Sequence, residues 1–206
     1  MIITHHGKEF FKLQTGDMVL ALNPISKESK FKTNGFGANI AFVSMNTDDY
    51  NGAELVEYAG KVPFVVKGPG EYEISDIMIQ GFATKGYGDH INSIYYFEFD
   101  GMKILYLGAM YLPEIPLEAR QAIGDVDVLF VPIGGKTVLD AAAAHKLAVS
   151  FGPKLIIPMD FGSDQESGAL KDFLKESGSE KVSPVDKLTI KLKDLAGKEG
   201  DVAVIE

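Results

Sequence analysis

The side chains best suited to chemistry in this sequence are two carboxylates, Asp48 and Asp49, in a loop behind an apolar run. The run, residues 39–44, has the length and flanks of a buried strand. Loops at the carboxyl ends of buried strands are held by a rigid sheet yet remain open to solvent, so reactive side chains collect there. Carboxylate oxygens suit Mg²⁺, Mn²⁺ or Ca²⁺, but an aspartate after a strand also commonly caps a turn. Both roles are open for this loop.

A second candidate is the acid–base pair Asp89 and His90, in a loop between two apolar strands. The chain has only four histidines and no cysteine, so thiolate nucleophiles, cysteine metal ligands and disulfides are excluded. His90 as a base and Asp89 as its partner are the candidate catalytic residues. The alternative is an ordinary solvated loop histidine, which is the commoner case.

Length and charge bound the fold and its partners. A chain of 206 residues with 46% hydrophobic content can bury one substantial core, and we expect a single domain over residues 1–206. No run reaches the length of a membrane span and the N-terminus lacks a signal pattern, so we expect a cytoplasmic protein without a membrane partner. A net charge of −9 without a basic stripe argues against nucleic acid. An acidic domain of this size is compatible with a homodimer.

The elements that must position these residues follow from the apolar runs and turn residues. The first half is predicted to be a strand-rich meander, and the second half alternates strands with helices. This order of elements fits a four-layer αββα sandwich, within the mixed α/β (α+β) class. The predicted helices cover residues 53–59 with Gly60 as C-cap, a short segment to about Ile123, residues 137–151 with Thr137 as N-cap, and residues 168–177.

Residues 44–50, Ser-Met-Asn-Thr-Asp-Asp-Tyr, resemble the metal-binding loop of the metallo-β-lactamase fold hydrolases. In that family a strand ends in Ser-His-x-His-x-Asp-His. The resemblance implies the αββα sandwich of that superfamily, and it implies hydrolysis at one or two metal ions. Further segments resemble small cytoplasmic members in the family's order and cover nearly the whole chain, namely residues 68–74, 103–108, 126–135, 153–159 and 183–190.

The same resemblance implies that most metal ligands are replaced. Met45, Thr47 and Tyr50 stand where the family's loop has histidines, and Ala109 stands where an aspartate bridges two metals. The family's N-terminal Gly-His pair is Gly7-Lys8, and its next histidine position falls at Thr84 or Lys85. A catalytic metal needs several donors aimed at one point and an open position for water. The implied degenerate cleft consists of Met45, Thr47, Asp48, Asp49, Tyr50, Ala109 and Asp160.

Two functional hypotheses follow. The first is a non-catalytic protein that has lost its metal ligands, has no cofactor, and acts by binding a small ligand or a protein partner or by self-association. The second is a metal-dependent hydrolase with an unusual carboxylate set, in which Asp49 and Asp160 with Asp48 hold Mg²⁺, Mn²⁺ or Zn²⁺ and His90 acts as base. The hypotheses differ in whether the Asp49 and Asp160 carboxylates converge on one point.

Overall fold

Two β-sheets packed face to face form the body of the molecule in the computed structural model, which describes residues 1–161 and 168–206. The first sheet has the strand order β12-β1-β2-β3-β4-β5, and the second has the order β13-β11-β10-β9-β8-β7-β6. The first sheet contains β1 Ile2–His5, β2 Phe11–Thr15, β3 Met18–Leu22, β4 Ile40–Val43, β5 Phe64–Lys67 and β12 Leu188–Thr189. The second contains β6 Gly70–Ile74, β7 Ile77–Lys85, β8 Ile91–Phe99, β9 Met102–Tyr106, β10 Val128–Pro132, β11 Leu155–Met159 and β13 Asp201–Val202.

The strand directions bring several loops to one end of the molecule. β3, β4 and β5 run parallel in the first sheet, and β9, β10, β11 and β13 run parallel in the second. The carboxyl ends of parallel strands meet at the same edge of a sheet, which is where ligand sites form in such sheets. The loops after β4, β9 and β11 therefore supply the candidate site.

The main core lies between the sheets and follows from the period-two pattern of the strands. Leu20 and Leu22 of β3 point into it, whereas Val19 and Ala21 of the same strand face outward. β10 is buried on both faces because helices cover its outer side, so it has the continuous apolar sequence typical of parallel strands.

The two outer layers differ in thickness. Among the described residues, three helices pack on the outer face of the second sheet, namely α1 Leu117–Ala122, α2 Ala141–Val149 and α3 Ala169–Glu176. Phe31, Phe36 and the 3-10 helix Ala53–Val56 cover the outer face of the first sheet. The predicted metallo-β-lactamase-like sandwich is confirmed, with one outer layer made of a loop and a single helical turn.

Two predicted helix boundaries are wrong. The helix predicted for residues 53–59 ends at Val56, because Tyr58 and Lys61 pair across a tight turn in which Ala59 and Gly60 have positive φ. The helix predicted to begin at Thr137 begins at Ala141, and the N-cap is Asp140, whose carboxylate accepts a hydrogen bond from the Ala143 amide at 2.8 Å. Among the described residues, no helix is long and apolar enough to cross a membrane.

Candidate functional site

Five of the seven predicted cleft residues come together at the carboxyl end of the strands, namely Met45, Asp49, Tyr50, Ala109 and Asp160. Thr47 is partly exposed, and its carbonyl accepts a hydrogen bond from the Tyr50 amide at 2.9 Å within the loop. Ser44, directly after β4, accepts a hydrogen bond at Oγ from the Ala109 amide at 3.2 Å, which joins the β4 and β9 loops. The Tyr50 hydroxyl donates to Asp160 Oδ2 at 3.0 Å, which joins the β4 loop to the residue after β11. The loops that carry the cleft residues are therefore in direct contact.

A lysine ammonium lies among the cleft carboxylates. Lys8 Nζ is 2.8 Å from Asp160 Oδ1 and 3.9 Å from Asp49 Oδ2. The side chains of Lys8 and Asp160 are 7% and 0% exposed. The ammonium also lies over the Phe31 ring, 4.5 Å from its centroid, a favourable position for a cation. Asp49 and Asp160 thus converge, and the cation between them belongs to the chain itself.

The backbone holds Lys8 and Asp160 against each other in an unusual conformation. Both have positive φ, 51° and 56°, a region that costs a residue with a Cβ roughly 1 kcal/mol or more. The Asp160 amide donates to the Lys8 carbonyl at 2.9 Å, so the loop after β1 is tied to the end of β11. This backbone hydrogen bond holds the two residues next to each other, and the ion pair is therefore part of the local fold.

Asp49 and Asp48 have different environments although they are neighbours. Asp49 is partly exposed and accepts a hydrogen bond from Ser29 Oγ at 2.6 Å, in addition to its contact with Lys8. Asp48 is exposed, and its backbone carbonyl accepts from the Ser26 amide at 2.8 Å. The Asp48 backbone thus links the β4 loop to the loop that covers the first sheet.

Three of the positions that the resemblance assigns to metal ligands are packed together, namely Met45, Tyr50 and Ala109. Met45, Tyr50, Ala109 and Val138 form one buried apolar cluster. Gly86 lies against it so closely that a Cβ there would come within 2.7 Å of Met45 Sδ. Burial, followed by the Asp160 charge, raises the pKa of Tyr50 well above its usual value, so the phenol remains a hydrogen-bond donor at neutral pH.

A second polar group, absent from the sequence-based set, lies under the first. Glu9 is fully buried, and its Oε2 accepts a hydrogen bond from Asn23 Nδ2 at 2.6 Å. The same amide donates to Ser44 Oγ at 2.8 Å, and Asn23 Oδ1 accepts from the Ser44 amide at 2.8 Å. Tyr106 OH is 3.4 Å from Glu9 Oε2. Burial, followed by the Asp160 charge, raises the pKa of Glu9 well above its usual range.

A sequence signal for Lys8 and Glu9 did exist. The two charged residues directly precede Phe10 and Phe11, which are fully buried. Charged side chains are almost never fully buried unless they are paired, so their place beside an apolar run was informative. Their partner Asp160 is distant in sequence, and only the fold brings it to them.

The pair Asp89 and His90 lies apart from this network. Both side chains are exposed, in a tight turn closed by the Gly86 amide and the His90 carbonyl at 3.1 Å. They line an open groove together with Thr84, Lys85 and Glu114. The role of His90 as a base stays a prediction.

The donor set in the cleft does not fit a catalytic metal. Within residues 1–161 and 168–206, no three His, Cys, Asp or Glu side chains are placed to hold one ion. Asp49 and Asp160 supply carboxylate oxygens, but the third close group is the ammonium of Lys8, which has only donors. A metal needs several N, O or S donors aimed at one point, and the apolar cluster beside these carboxylates supplies no comparable set.

Comparisons with known proteins bear on the fold and on the family. A candidate Zn-dependent hydrolase of the metallo-β-lactamase superfamily from Thermotoga maritima is 25% identical with a TM-score of 0.78, covering 100% of this chain and 98% of that one. A candidate metal-dependent hydrolase from Parabacteroides distasonis shares the fold with a TM-score of 0.66 at 21% identity, covering 99% and 92% of the two chains.

The sequence comparisons agree with the structural ones. The UPF0173 protein of Pyrococcus furiosus is 30% identical over 133 residues, a match that covers 63% of this chain but only 57% of that protein. The family model of the beta-lactamase superfamily domain matches residues 2–160, which include β1 to β11 and the cleft residues described above. The chain therefore belongs to the metallo-β-lactamase superfamily.

Proposed function

We propose that this chain is a metal-independent, non-catalytic member of its superfamily that acts by binding or by self-association. The observation that carries the proposal is the position of Lys8 Nζ, 2.8 Å from Asp160 Oδ1 and 3.9 Å from Asp49 Oδ2. In this proposal the lysine ammonium supplies the positive charge that a metal ion supplies elsewhere in the superfamily.

The chemistry of an ammonium separates charge balance from catalysis. Lys8 can neutralise a buried carboxylate and donate hydrogen bonds to it, which compensates the negative charge buried at the site. A catalytic metal does more, because it lowers the pKa of a bound water and polarises a carbonyl or phosphoryl oxygen through an open coordination position. Lys8 has no such position.

The packing around the ion pair supports the same proposal. Met45, Tyr50, Ala109 and Val138 fill the space beside the carboxylates with side chains that are at most 5% exposed. A hydrolase needs room there for a substrate and for the attacking water. We expect side chains to fill this space once the metal ligands are replaced, because an empty dry cavity costs stability. A binding role would then use another surface of the molecule.

Metal analysis of the purified protein tests this proposal. We expect substoichiometric metal after incubation with Zn²⁺, Mn²⁺ or Mg²⁺ followed by desalting, measured by elemental analysis. We also expect the Asp160→Asn and Asp125→Asn variants to give the same low content as the unmodified chain. Asp125 is the matched control, since its carboxylate is 92% exposed in a surface pair with Lys103.

The competing hydrolase hypothesis has a distinct result in the same experiment. Stoichiometric metal that is lost in the Asp160→Asn variant, but retained in the Asp125→Asn variant, would contradict the proposal. It would support a carboxylate-bound metal at Asp49 and Asp160, and it would justify assays with phosphoesters, esters and lactams. Metal retained equally in both variants would indicate binding outside the cleft, and the proposal for the cleft would stand.

A further inference from the structure

The chain contains two Asn-Gly pairs, Asn34-Gly35 and Asn51-Gly52, and they lie in different environments. An asparagine before a glycine can lose its side-chain amide spontaneously, because glycine has no Cβ to shield its backbone nitrogen from the asparagine side chain. That nitrogen must be free to attack, and the side chain must be free to turn toward it. The hydrogen bonds around each pair therefore decide which of the two can react.

The pair Asn34-Gly35 is open to this reaction. Both residues are exposed in the loop between β3 and β4, and neither belongs to a helix or a strand. Within residues 1–161 and 168–206, neither the Asn34 side chain nor the Gly35 amide has a hydrogen-bond partner. Both groups therefore face solvent, where a base can remove the amide proton and the side chain can rotate.

The pair Asn51-Gly52 is held by hydrogen bonds. The Gly52 amide donates to the Pro24 carbonyl at 2.7 Å, so its nitrogen is not available to attack. Asn51 Nδ2 donates to Asn46 Oδ1 at 3.1 Å, which restrains the side chain. The Asn51 carbonyl accepts from the Ala53 amide at 3.0 Å, which restrains the backbone. This pair can react only after the first two of these bonds open.

The packing of the loop requires a glycine after Asn34. A Cβ on Gly35 would lie 2.0 Å from the Leu55 carbonyl oxygen, a distance at which two heavy atoms clash. The loop passes so close because it lies directly on the 3-10 helix Ala53–Val56. A side chain at position 35 would therefore disturb the loop, whereas the exposed Asn34 side chain can be changed without a clash.

We propose that Asn34 is a site of spontaneous deamidation in the folded protein, and that the fold protects Asn51. The deprotonated Gly35 nitrogen attacks Asn34 Cγ, and the new N–Cγ bond closes a cyclic imide. The Cγ–Nδ2 bond breaks, and ammonia leaves with the proton that the Gly35 nitrogen gave up. Water then adds to one of the two imide carbonyls and breaks one C–N bond, which leaves an aspartyl or an isoaspartyl residue at position 34. Water is the only other reactant.

The isoaspartyl product would disturb the packing of this loop. It routes the main chain through the former side chain and so adds one carbon to the backbone, beside the close contact of Gly35 with Leu55. The next residue, Phe36, stacks on Phe10 with ring centroids 5.2 Å apart, and a longer backbone shifts this ring. We therefore expect deamidation to lower the stability of the fold by more than a new charge on an exposed side chain does.

Peptide mapping by mass spectrometry, after incubation at mildly alkaline pH, measures conversion at both positions. We expect position 34 to convert about tenfold or more faster than position 51, because a hydrogen bond that must open first is worth up to about that factor. In urea that unfolds the chain, the two rates should become similar. Equal rates in the folded chain, or faster conversion at position 51, would overturn the proposal. So would an unchanged folded chain over a period in which both positions convert in urea.

Two variants at position 34 test the effect on stability, and both should fold because this side chain is exposed. Freshly purified Asn34→Asp has the new charge on an unaltered backbone, so we expect it to melt at nearly the same temperature as the fresh unmodified chain. The incubated unmodified chain should melt at a lower temperature than either, and Asn34→Gln should lose none of its stability on incubation. An equal loss in Asn34→Gln, or no loss in the deamidated chain, would contradict the expected effect of position 34.

Discussion

Replacing Lys8 with methionine is expected to destabilise the fold by about 3–5 kcal/mol, the usual cost of removing one partner from a buried ion pair. The substitution keeps most of the side-chain volume but leaves the fully buried Asp160 carboxylate without its cation at 2.8 Å. Tyr50 still donates to Oδ2, but a single neutral hydrogen bond cannot replace an ammonium. Urea unfolding at neutral pH measures the loss.

Two further variants separate this effect from a simple loss of charge. Lys198→Met removes the cation of a surface pair with Asp201, and we expect a change within about 0.5 kcal/mol. Adding Asp160→Asn to Lys8→Met removes the uncompensated charge, so the double variant should regain much of the lost stability. Equal losses for the Lys8 and Lys198 variants, or no recovery in the double variant, would show that Lys8 does not serve as the counter-ion.

The two-sheet arrangement was predicted from the order of the apolar runs together with the resemblance to the metallo-β-lactamase fold, which covers nearly the whole chain. Apolar runs such as 39–44 and 126–131 mark buried strands, and their order with the helices limits the architecture to few alternatives. The helix was predicted to start at Thr137 because both Thr137 and Asp140 are favourable N-cap residues. Leu139 lies outside the helix, since its amide donates to the Met110 carbonyl and its carbonyl accepts from the Gly135 amide, and the helix begins only after Asp140.

The sequence predicted which loops come together but not the ion pair that joins them. The loops that carry Asp49, Tyr50 and Asp160 do meet, as the resemblance implied. The interaction that joins them involves Lys8, whose role depends on the fold bringing the loop after β1 beside the end of β11. A sequence shows which residues have charge, but pairing across such a separation is set by tertiary structure. Asp48 shows that neighbours in sequence need not share an environment, since its side chain is exposed although it adjoins Asp49.

The net charge of the buried site depends on whether Glu9 is ionised. Lys8 and Asp160 already balance each other, so a second buried carboxylate beside them would add a net negative charge. Complete burial, followed by the Asp160 charge, raises the pKa of Glu9, and the hydrogen bond from Asn23 and the Lys8 charge oppose this only in part. We therefore expect Glu9 to remain protonated in the folded protein over a pH range in which the unfolded chain has released that proton.

The unmodified chain is expected to lose stability as the pH rises, and the Glu9→Gln variant is expected not to show this loss. An unfolded glutamate releases its proton near pH 4.5, whereas folded Glu9 retains it to higher pH, so raising the pH between these values favours the unfolded state. The slope is up to about 1.4 kcal/mol per pH unit. Glutamine resembles the protonated side chain and does not titrate. The test is the midpoint of urea unfolding of both proteins at pH 5, 6, 7 and 8, in steps of about one unit across the pH range in which only the unfolded glutamate is ionised.

The control for this prediction is Glu57→Gln, a change at an exposed glutamate after the 3-10 helix Ala53–Val56. We expect its stability to follow that of the unmodified chain at every pH, because solvent surrounds the side chain in both states. The Glu9→Gln variant should instead gain steadily on the unmodified chain from acid to neutral pH. Parallel profiles for the unmodified chain and Glu9→Gln would mean that Glu9 is ionised when folded, and Lys8 would then have to compensate two buried carboxylates instead of one.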